Sequence, residues 1–263
     1  METHQVKFTA GADPECFLVN TQGKFISSVG LIGGSKEYPM PLPLGPGYAV
    51  QEDNVSVEFN IPPAQNIQVF SSSIMRTVGF LSSMVQDLGL KLSDVSAVSF
   101  DQDQLQTPAS QEFGCEPDFN AWADGEVNPR PSAKDKSLRT CGGHVHVGYD
   151  GEVSHLNIIK FMDMFLGVPS VLMDKGETRK QLYGCAGAFR KKEYGVEYRT
   201  LSNFWIFKKE LHEWVWRNTQ RAIDAAIQST VDEEDGKCIV SAINGNNKPM
   251  AEQLVKKYNL EVL

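Results

Sequence analysis

The chain has 263 residues, of which 41% are apolar and 22% charged, and this globular composition excludes disorder across the whole chain. The net charge of −8 argues against a general nucleic-acid surface, because phosphate binding needs clustered lysine and arginine. We find no signal-peptide pattern at the start of the sequence, and no uninterrupted apolar run approaches the ~20 residues of a membrane span.

Five cysteines occur without CxxC spacing, and an odd number of this kind favours a reduced, cytoplasmic setting over a disulfide framework or a zinc ribbon. The length suits one large core, so we expect a single domain over residues 1–263 with a helical part from about residue 206. No membrane association is expected.

The first predicted element is an extended run from Val6 to Asn20, in which a period of two places Asp13 and Glu15 on one face. A loop rich in glycine and proline follows over residues 30–47, and a loop of this length favours a functional role such as a lid.

Residues 48–61 predict a β-hairpin with its turn at Asp53 and Asn54. Its second arm alternates, with apolar residues on one side and Glu58 between polar neighbours on the other, and Pro62 and Pro63 are expected to end it. The turn position favours a solvent role for Glu52.

Apolar residues spaced at three and four predict a helix over 65–88 that covers the apolar side of the sheet. Further helices are predicted over 153–173 and 206–227, and two short helices end the chain. These elements indicate an α+β fold: a curved antiparallel sheet of about six strands with helices on its apolar face.

The run from Arg139 to Gly148 predicts a strand whose period of two places His144 and His146 on one face. Two glycines precede the histidines, and they permit a tight turn or the close approach of a ligand to the backbone. The run 195–200 places Glu197 and Arg199 together in the same way.

The segment 113–122 repeats the acid-proline-acid pattern of the first strand. The polar face of five predicted strands therefore carries nine candidate side chains: Asp13, Glu15, Glu58, Glu116, Asp118, His144, His146, Glu197 and Arg199.

So many carboxylates in a partly dry site repel one another and raise each other's pKa unless cations neutralise them, and a divalent metal is the simplest remedy. Oxygen ligands with few imidazoles favour Mg²⁺ or Mn²⁺ over structural zinc, and Mg²⁺ commonly shares its coordination with substrate phosphates. Arg139, Arg190 and Arg199 lie near the acids and suit phosphate. The P-loop, dinucleotide-binding, GxSxG and HExxH motifs do not occur.

Five motifs in this order resemble the carboxylate-amine ligase (amidoligase) superfamily, which has the fold of glutamine synthetase and glutamate–cysteine ligase. The phage-encoded branch known as COOH-NH2 ligase type 2 is the most similar. The motifs are GADPE at 11–15, VEFN at 57–60, GCEPDF at 114–119, RTCGGHVH at 139–146 and YGVEYRTLSNFW at 194–205.

The resemblance implies an ATP-dependent ligase with Mg²⁺ or Mn²⁺, which activates a carboxylate as an acyl phosphate and joins it to an amine. It implies that Arg199 contacts phosphate, with Arg139 and Arg190 as further nucleotide-binding candidates, and that His146 contacts substrate. The catalytic candidates are Arg199, His146 and Arg190. The implied metal ligands are Glu15, Glu58, Glu116, His144 and Glu197. The expected partners are small-molecule or peptide carboxylates and amines, in the host cytoplasm if the chain is phage-encoded.

Two alternatives stay open at the level of sequence. A zinc-dependent hydrolase would use the His-x-His strand to hold a metal and an activated water, but it would leave the arginines without a role. A non-catalytic protein with a ligase-like fold would bind without turnover. The sequence defines neither the two substrates nor the oligomeric state.

Overall fold

The computed structural model describes residues 7–111, 118–129, 134–176 and 178–263, and these ranges contain both helices and antiparallel strands. The strands are β1 (Phe8–Ala12), β2 (Glu15–Asn20), β3 (Phe25–Ile26), β4 (Met40–Pro41), β5 (Ala49–Asp53), β6 (Ser56–Ala64), β7 (Leu90–Ser93), β8 (Ala97–Ser99), β9 (Phe119–Asn120), β10 (Glu126–Val127), β11 (Leu138–Thr140), β12 (Val145–Tyr149), β13 (Ala188–Lys192) and β14 (Gly195–Tyr198).

The helices are α1 (Ile67–Gln86), α2 (Pro108–Gln111), α3 (His155–Met162), α4 (Val168–Met173), α5 (Lys209–Gln228), α6 (Glu233–Asn244) and α7 (Lys248–Tyr258). A π-helical turn, Asp163–Gly167, joins α3 to α4, and short 3₁₀ turns occur elsewhere, including Thr178–Gln181 and Asn203–Trp205. Three helices, α5 to α7, therefore form the end of the chain.

The main sheet of the described residues has twelve strands, and all its pairings are antiparallel. Its longest path runs β10-β9-β13-β14-β12-β1-β6-β2-β3, while β4 and β5 join beside β6 and β7 joins beside β2. The α+β class is thus confirmed, but the expected count of about six strands is wrong. Four of the strands have only two residues, which is too short for a period of two to reveal.

The predicted first strand is interrupted at Asp13 and Pro14, which separate β1 from β2. The expected end of β6 at Pro62 is wrong, since the strand continues to Ala64. The register between β1 and β6 shifts in this region, and prolines are tolerated where a ladder is irregular.

The apolar face of the sheet packs against α1, α3 and α5. Residues at alternate positions of the site-bearing strands enter this core, among them Val57, Phe59, Val145, Val147 and Val196, all fully buried. Their neighbours along each strand therefore project from the opposite face, which is the polar face predicted from the sequence.

The helix His155–Met173 is long and apolar enough to cross a membrane by length and composition, although Lys160 and Asp163 interrupt its apolar run. However, 67% of this window is buried inside the protein, and its residues pack against α5 and the sheet. Such burial is typical of a core helix.

Candidate functional site: two carboxylate clusters

The first cluster on the polar face consists of Glu15, Asp53 and Glu58, with one oxygen of each within 4.8 Å of the others. Glu15 on β2 lies opposite Glu58 on β6, so neighbouring strands bring the two side chains together. Asp53 ends β5 opposite Ser56, two residues before Glu58 on the same face. We call these three residues the carboxylate cluster.

Burial and mutual repulsion dominate the electrostatics of the carboxylate cluster. Burial and the charge of Asp53 raise the pKa of Glu15 to about 7, although the backbone N–H of Gly142 donates to this carboxylate at 2.7 Å. Burial, together with Asp13, Glu15 and Asp53, raises the pKa of Glu58 well above its usual value. Three crowded carboxylates, two of them with raised pKa values, are a donor set that fits a hard divalent cation.

The second cluster contains Asp13, His146 and Glu197, whose potential ligand atoms also lie within 4.8 Å of one another. His146 Nε2 is 2.9 Å from Asp13 Oδ1, and its Nδ1 shares a hydrogen bond with the Tyr194 hydroxyl. His146 on β12 lies opposite Glu197 on β14. We call Asp13, His146 and Glu197 the mixed cluster.

Protein cations already neutralise the mixed cluster. The fully buried Glu197 contacts the Arg199 guanidinium and the Lys192 ammonium, the latter at 2.8 Å, and Arg190 Nη1 lies 3.7 Å away. Burial and Asp13 act to raise the pKa of Glu197, but Arg199 and the two histidines lower it to about 2. The two clusters thus differ: cations contact Glu197 directly in the mixed cluster, whereas Arg179 and Arg199 act on Glu15 of the carboxylate cluster without offsetting its burial.

Asp13 bridges the two predicted histidines. His144 Nδ1 lies 3.5 Å from Asp13 Oδ1 and 3.8 Å from Glu197 Oε1. Burial and Arg199 lower the pKa of His144 to about 4, so its imidazole is neutral at physiological pH and suited to binding a metal. Burial acts to raise the pKa of Asp13, but His146 and His144 hold it well below its usual value.

The glycine pair before His144 serves packing within the protein. A Cβ on Gly142 would lie 2.3 Å from His144 Nε2, and a Cβ on Gly143 would lie 2.3 Å from the Ser202 carbonyl oxygen. The close approach predicted at these glycines is therefore made by the protein's own imidazole and backbone.

A cleft with an empty volume of about 710 Å³ opens beside the carboxylate cluster. Glu15 and Asp53 line one part of it, and three arginines line another: Arg139, Arg179 and Arg199. We call it the arginine cleft. Guanidinium groups beside a carboxylate cluster provide a site that binds a metal and an anion together.

The predicted arginines occupy different positions. Arg199 contacts Glu197, and its Nε lies 3.4 Å from Asp118 Oδ2. Arg190 faces the mixed cluster. Arg139 lines the arginine cleft, and its guanidinium donates to Asn54 Oδ1 and to backbone carbonyls, including that of Ser110.

Glu116, the remaining predicted metal ligand, lies outside the described residues. Of the other predicted site residues, the structure places Glu15 and Glu58 in the carboxylate cluster, and it places His146 and Glu197 in the mixed cluster with His144 next to them. The predicted convergence of acids from separate strands is therefore present, divided into two groups.

Asp53, Arg179 and Lys192 belong to the site but were missed. For Asp53 the signal was available: the turn occupies Asn54 and Val55, one residue later than predicted, so Asp53 is the last residue of β5 and not a turn residue. Lys192 follows Arg190 by two on β13 and so shares its face. Arg179 lies on a charged connection without any periodic pattern.

Glu52 has a structural role on the other face of β5. Its carboxylate accepts hydrogen bonds from the backbone N–H groups of Gly30, Ile32 and Gly33 at 2.8–3.0 Å. The expected solvent role of Glu52 is therefore wrong, and the loop predicted as a lid is anchored at its start.

Replacing Glu52 by glutamine is expected to lower the free energy of unfolding by about 2 kcal/mol, because hydrogen bonds to a charged acceptor are lost. Urea denaturation measures this change. The matched control is Glu37→Gln on the exposed part of the same loop, which should leave stability unchanged. Equal effects of the two substitutions would contradict the anchoring role.

A second opening of about 720 Å³ lies beside the mixed cluster, and its lining is mainly apolar. Gly11 and Gly148 form part of it without side chains, Ile61 and Pro63 add apolar surface, and the half-exposed Tyr194 ring lies next to His146. We call it the apolar groove. The polar face therefore borders both the arginine cleft and the apolar groove.

Part of the chain is similar to a known protein family. Residues 126–228 match the family model described as "Phage phiEco32-like COOH.NH2 ligase-type 2", and this match confirms the resemblance to carboxylate-amine ligases. No curated protein sequence matches the chain.

Two solved structures are similar to the chain at low identity. The one titled "GmaS/ADP complex-Conformation 1" has 12% identity and a TM-score of 0.41, with 96% of this chain and 64% of that chain covered. The one titled "Apo GmaS without ligand" has 11% identity and a TM-score of 0.41, with 98% and 71% covered. The chain thus spans somewhat less than two thirds of the first structure.

Proposed function

We propose, for a chain whose residues 126–228 match a COOH.NH2 ligase family model, that it is an ATP-dependent carboxylate-amine ligase. The single observation that carries this proposal is the carboxylate cluster next to the arginine cleft. A divalent cation stabilises crowded carboxylates, and an anion stabilises neighbouring arginines. The carboxylate cluster and the arginine cleft together therefore suit a metal-bound phosphate and an acidic substrate.

Glu15, Asp53 and Glu58 would hold a Mg²⁺ or Mn²⁺ ion, since all three offer hard oxygen donors. Asp13, His146 and Glu197 offer a second position, with His144 adjacent. A bound divalent ion would supply positive charge to phosphate oxygens and so stabilise negative charge in the transition state.

The cations of the chain have distinct proposed roles. Arg199 and Lys192 hold Glu197 in place, and with Arg190 they form a positively charged rim that suits a polyphosphate. Arg179 and Arg139 line the arginine cleft, where they would bind the carboxylate of the acid substrate.

The apolar groove suits the base of the nucleotide. Its flat glycine floor, the Tyr194 ring and the Asn60 amide would accommodate a planar heteroaromatic group, and His146 links this groove to the phosphate end of the site. In this arrangement a substrate carboxylate in the arginine cleft would attack the γ-phosphorus, the bond to the β-phosphate would break, and ADP would leave as the acyl phosphate forms. An amine would then displace phosphate and form the amide.

We further propose that residues 1–263 act as a single catalytic domain on small-molecule or peptide substrates in the cytoplasm. The free thiols of Cys16, Cys141, Cys185 and Cys238 suit a reducing compartment.

Phosphate release from ATP is the direct test of this function. The purified protein would be supplied with Mg²⁺ and pools of amino acids, other carboxylates and amines, and product mass would be measured. We expect ADP, phosphate and an amide only when ATP, acid and amine are all present. Hydrolysis that depends on Zn²⁺ and needs no nucleotide would instead identify the hydrolase, and no turnover with any pool would favour a binding protein.

A further inference from the structure

Asp163 is a fully buried carboxylate that lies behind the sheet, in the helical layer, at the start of the π-helical turn between α3 and α4. A π-helical turn inserts an extra residue in a helix and is often found at functional positions. A buried carboxylate is costly unless donors surround it, so its partners indicate what it does.

The donors to Asp163 come from three separate segments. Trp122 Nε1–H donates to Oδ2 at 2.7 Å and the Gly187 backbone N–H donates to the same oxygen at 2.5 Å. The Tyr198 hydroxyl donates to Oδ1 at 2.8 Å, and the Thr200 hydroxyl lies 3.2 Å from it. One carboxylate thus joins the segment around Trp122 to both arms of the β13–β14 hairpin.

Each of these segments carries a charged residue of the site. Trp122 closely follows Asp118, which lies 3.4 Å from Arg199 Nε. Gly187 leads into β13, which carries Arg190 and Lys192. Tyr198 lies between Glu197 and Arg199, and Thr200 follows Arg199 directly. The segments held by Asp163 therefore include Arg190, Lys192 and Arg199, the lysine and arginine residues found next to Glu197 in the described residues.

Two glycines leave room for this junction. A Cβ on Gly167 would lie 2.8 Å from the Tyr198 hydroxyl oxygen and 3.3 Å from Asp163 Oδ1. Gly187 has a φ of +77°, and a Cβ there would lie 2.7 Å from the Trp122 ring. The local backbone is thus shaped so that the hydroxyl, the indole and the peptide N–H reach the same carboxylate.

We propose that Asp163 is a positioning residue that sets Glu197, Arg199 and the β13 cations in register for nucleotide binding, a role that rests on the proposed function. It acts from behind the sheet, through Tyr198, Thr200 and Gly187, and does not itself contact substrate. The carboxylate cluster lies on β2, β5 and β6, outside the segments that Asp163 joins.

The test compares Asp163→Asn with the wild type and with Asn218→Ala. Asparagine keeps the size of the side chain but removes its negative charge and one accepting oxygen. Either the N–H groups of Trp122 and Gly187 lose their acceptor, or the hydroxyls of Tyr198 and Thr200 must turn to accept from the new amide, so the charge-assisted bonds are lost. Asn218 is also fully buried, and it bonds to Trp214 and Glu261 on the C-terminal side of the protein, so its substitution reports a general loss of stability.

We expect Asp163→Asn to bind Mg-ATP at least tenfold more weakly, while Mn²⁺ binding at the carboxylate cluster is unchanged. Asn218→Ala should lower thermal stability and leave both affinities unchanged. Wild-type Mg-ATP affinity in Asp163→Asn, or the same loss of affinity in Asn218→Ala, would overturn the proposal. If Asp163→Asn does not fold, Tyr198→Phe, which removes one donor, should give a smaller loss of affinity in the same direction, and no loss would overturn the proposal.

Failure of the proposed function would be visible separately, as the absence of Mg-ATP binding by the wild type. Amide hydrogen exchange then decides the positioning role. Exchange in residues 195–200 should accelerate at least tenfold in Asp163→Asn and stay unchanged in Asn218→Ala, and equal exchange in the two variants would overturn it.

Discussion

Replacing Glu58 by glutamine is expected to reduce Mg-ATP-dependent ligation about a thousandfold while stabilising the metal-free protein by on the order of 1 kcal/mol. Burial and the charges of Asp13, Glu15 and Asp53 raise the pKa of Glu58, so this carboxylate is held where its charge is unfavourable. The neutral amide removes the repulsion but also removes a metal ligand.

The pH dependence of the metal-free protein follows from the same cluster. The pKa of Glu15 is about 7 in the folded protein and lower when the chain is unfolded, so the folded state binds more protons between these values. Stability should therefore fall as the pH rises from about 5 to about 8, and added Mg²⁺ should oppose this loss. Urea denaturation with and without chelator measures both effects. Destabilisation by Glu58→Gln, or retained ligation, would contradict this account.

The same substitution at Glu197 should have the opposite effect on stability. Glu197→Gln is expected to abolish ligation to a similar extent, about a thousandfold, and to lower the free energy of unfolding by about 3 kcal/mol. Glutamine would remove the negative charge that the buried Arg199 and the partly buried Lys192 contact, and Asp118 would remain beside Arg199.

A loss of stability in Glu197→Gln agrees with the pKa of Glu197, which is lowered to about 2. Its stabilising contribution is present above the usual pKa of a glutamate and is lost as the pH falls towards 2. A double variant, Glu197→Gln with Lys192→Met, should recover part of the stability, because one unpaired cation is removed. Equal stability changes at Glu58 and Glu197 would show that the two clusters do not differ as described.

The sequence predicted the polar face because period-two alternation is a local property. Val57 and Phe59 enclose Glu58 on β6, Val196 and Tyr198 enclose Glu197 on β14, and the structure has each pair in the core. Pairing between strands is not local, so the division of the acids into two clusters could not be predicted. The cations that neutralise Glu197 depend on the pairing of β13 with β14.

Other parts of the site were predicted wrongly or missed, each for a physical reason. The sequence predicts the turn one residue too early. Glu52 is therefore expected to face solvent, and Asp53 is expected in the turn, although it is the last residue of β5. Arg179 belongs to a connection whose position is set by hydrogen bonds to the carbonyls of Thr200 and Arg199. Asp163 interrupts an apolar helix, and only the tertiary structure shows the donors that surround it.

Binding of Mn²⁺, followed by electron paramagnetic resonance, shows whether Glu15, Asp53 and Glu58 together hold a divalent cation. Asp53→Asn should greatly weaken this binding, whereas Glu52→Gln, one residue away on the opposite face of β5, should leave it at the wild-type value. Equal Mn²⁺ affinity in all three proteins, or no Mn²⁺ binding by the wild type, would contradict the account.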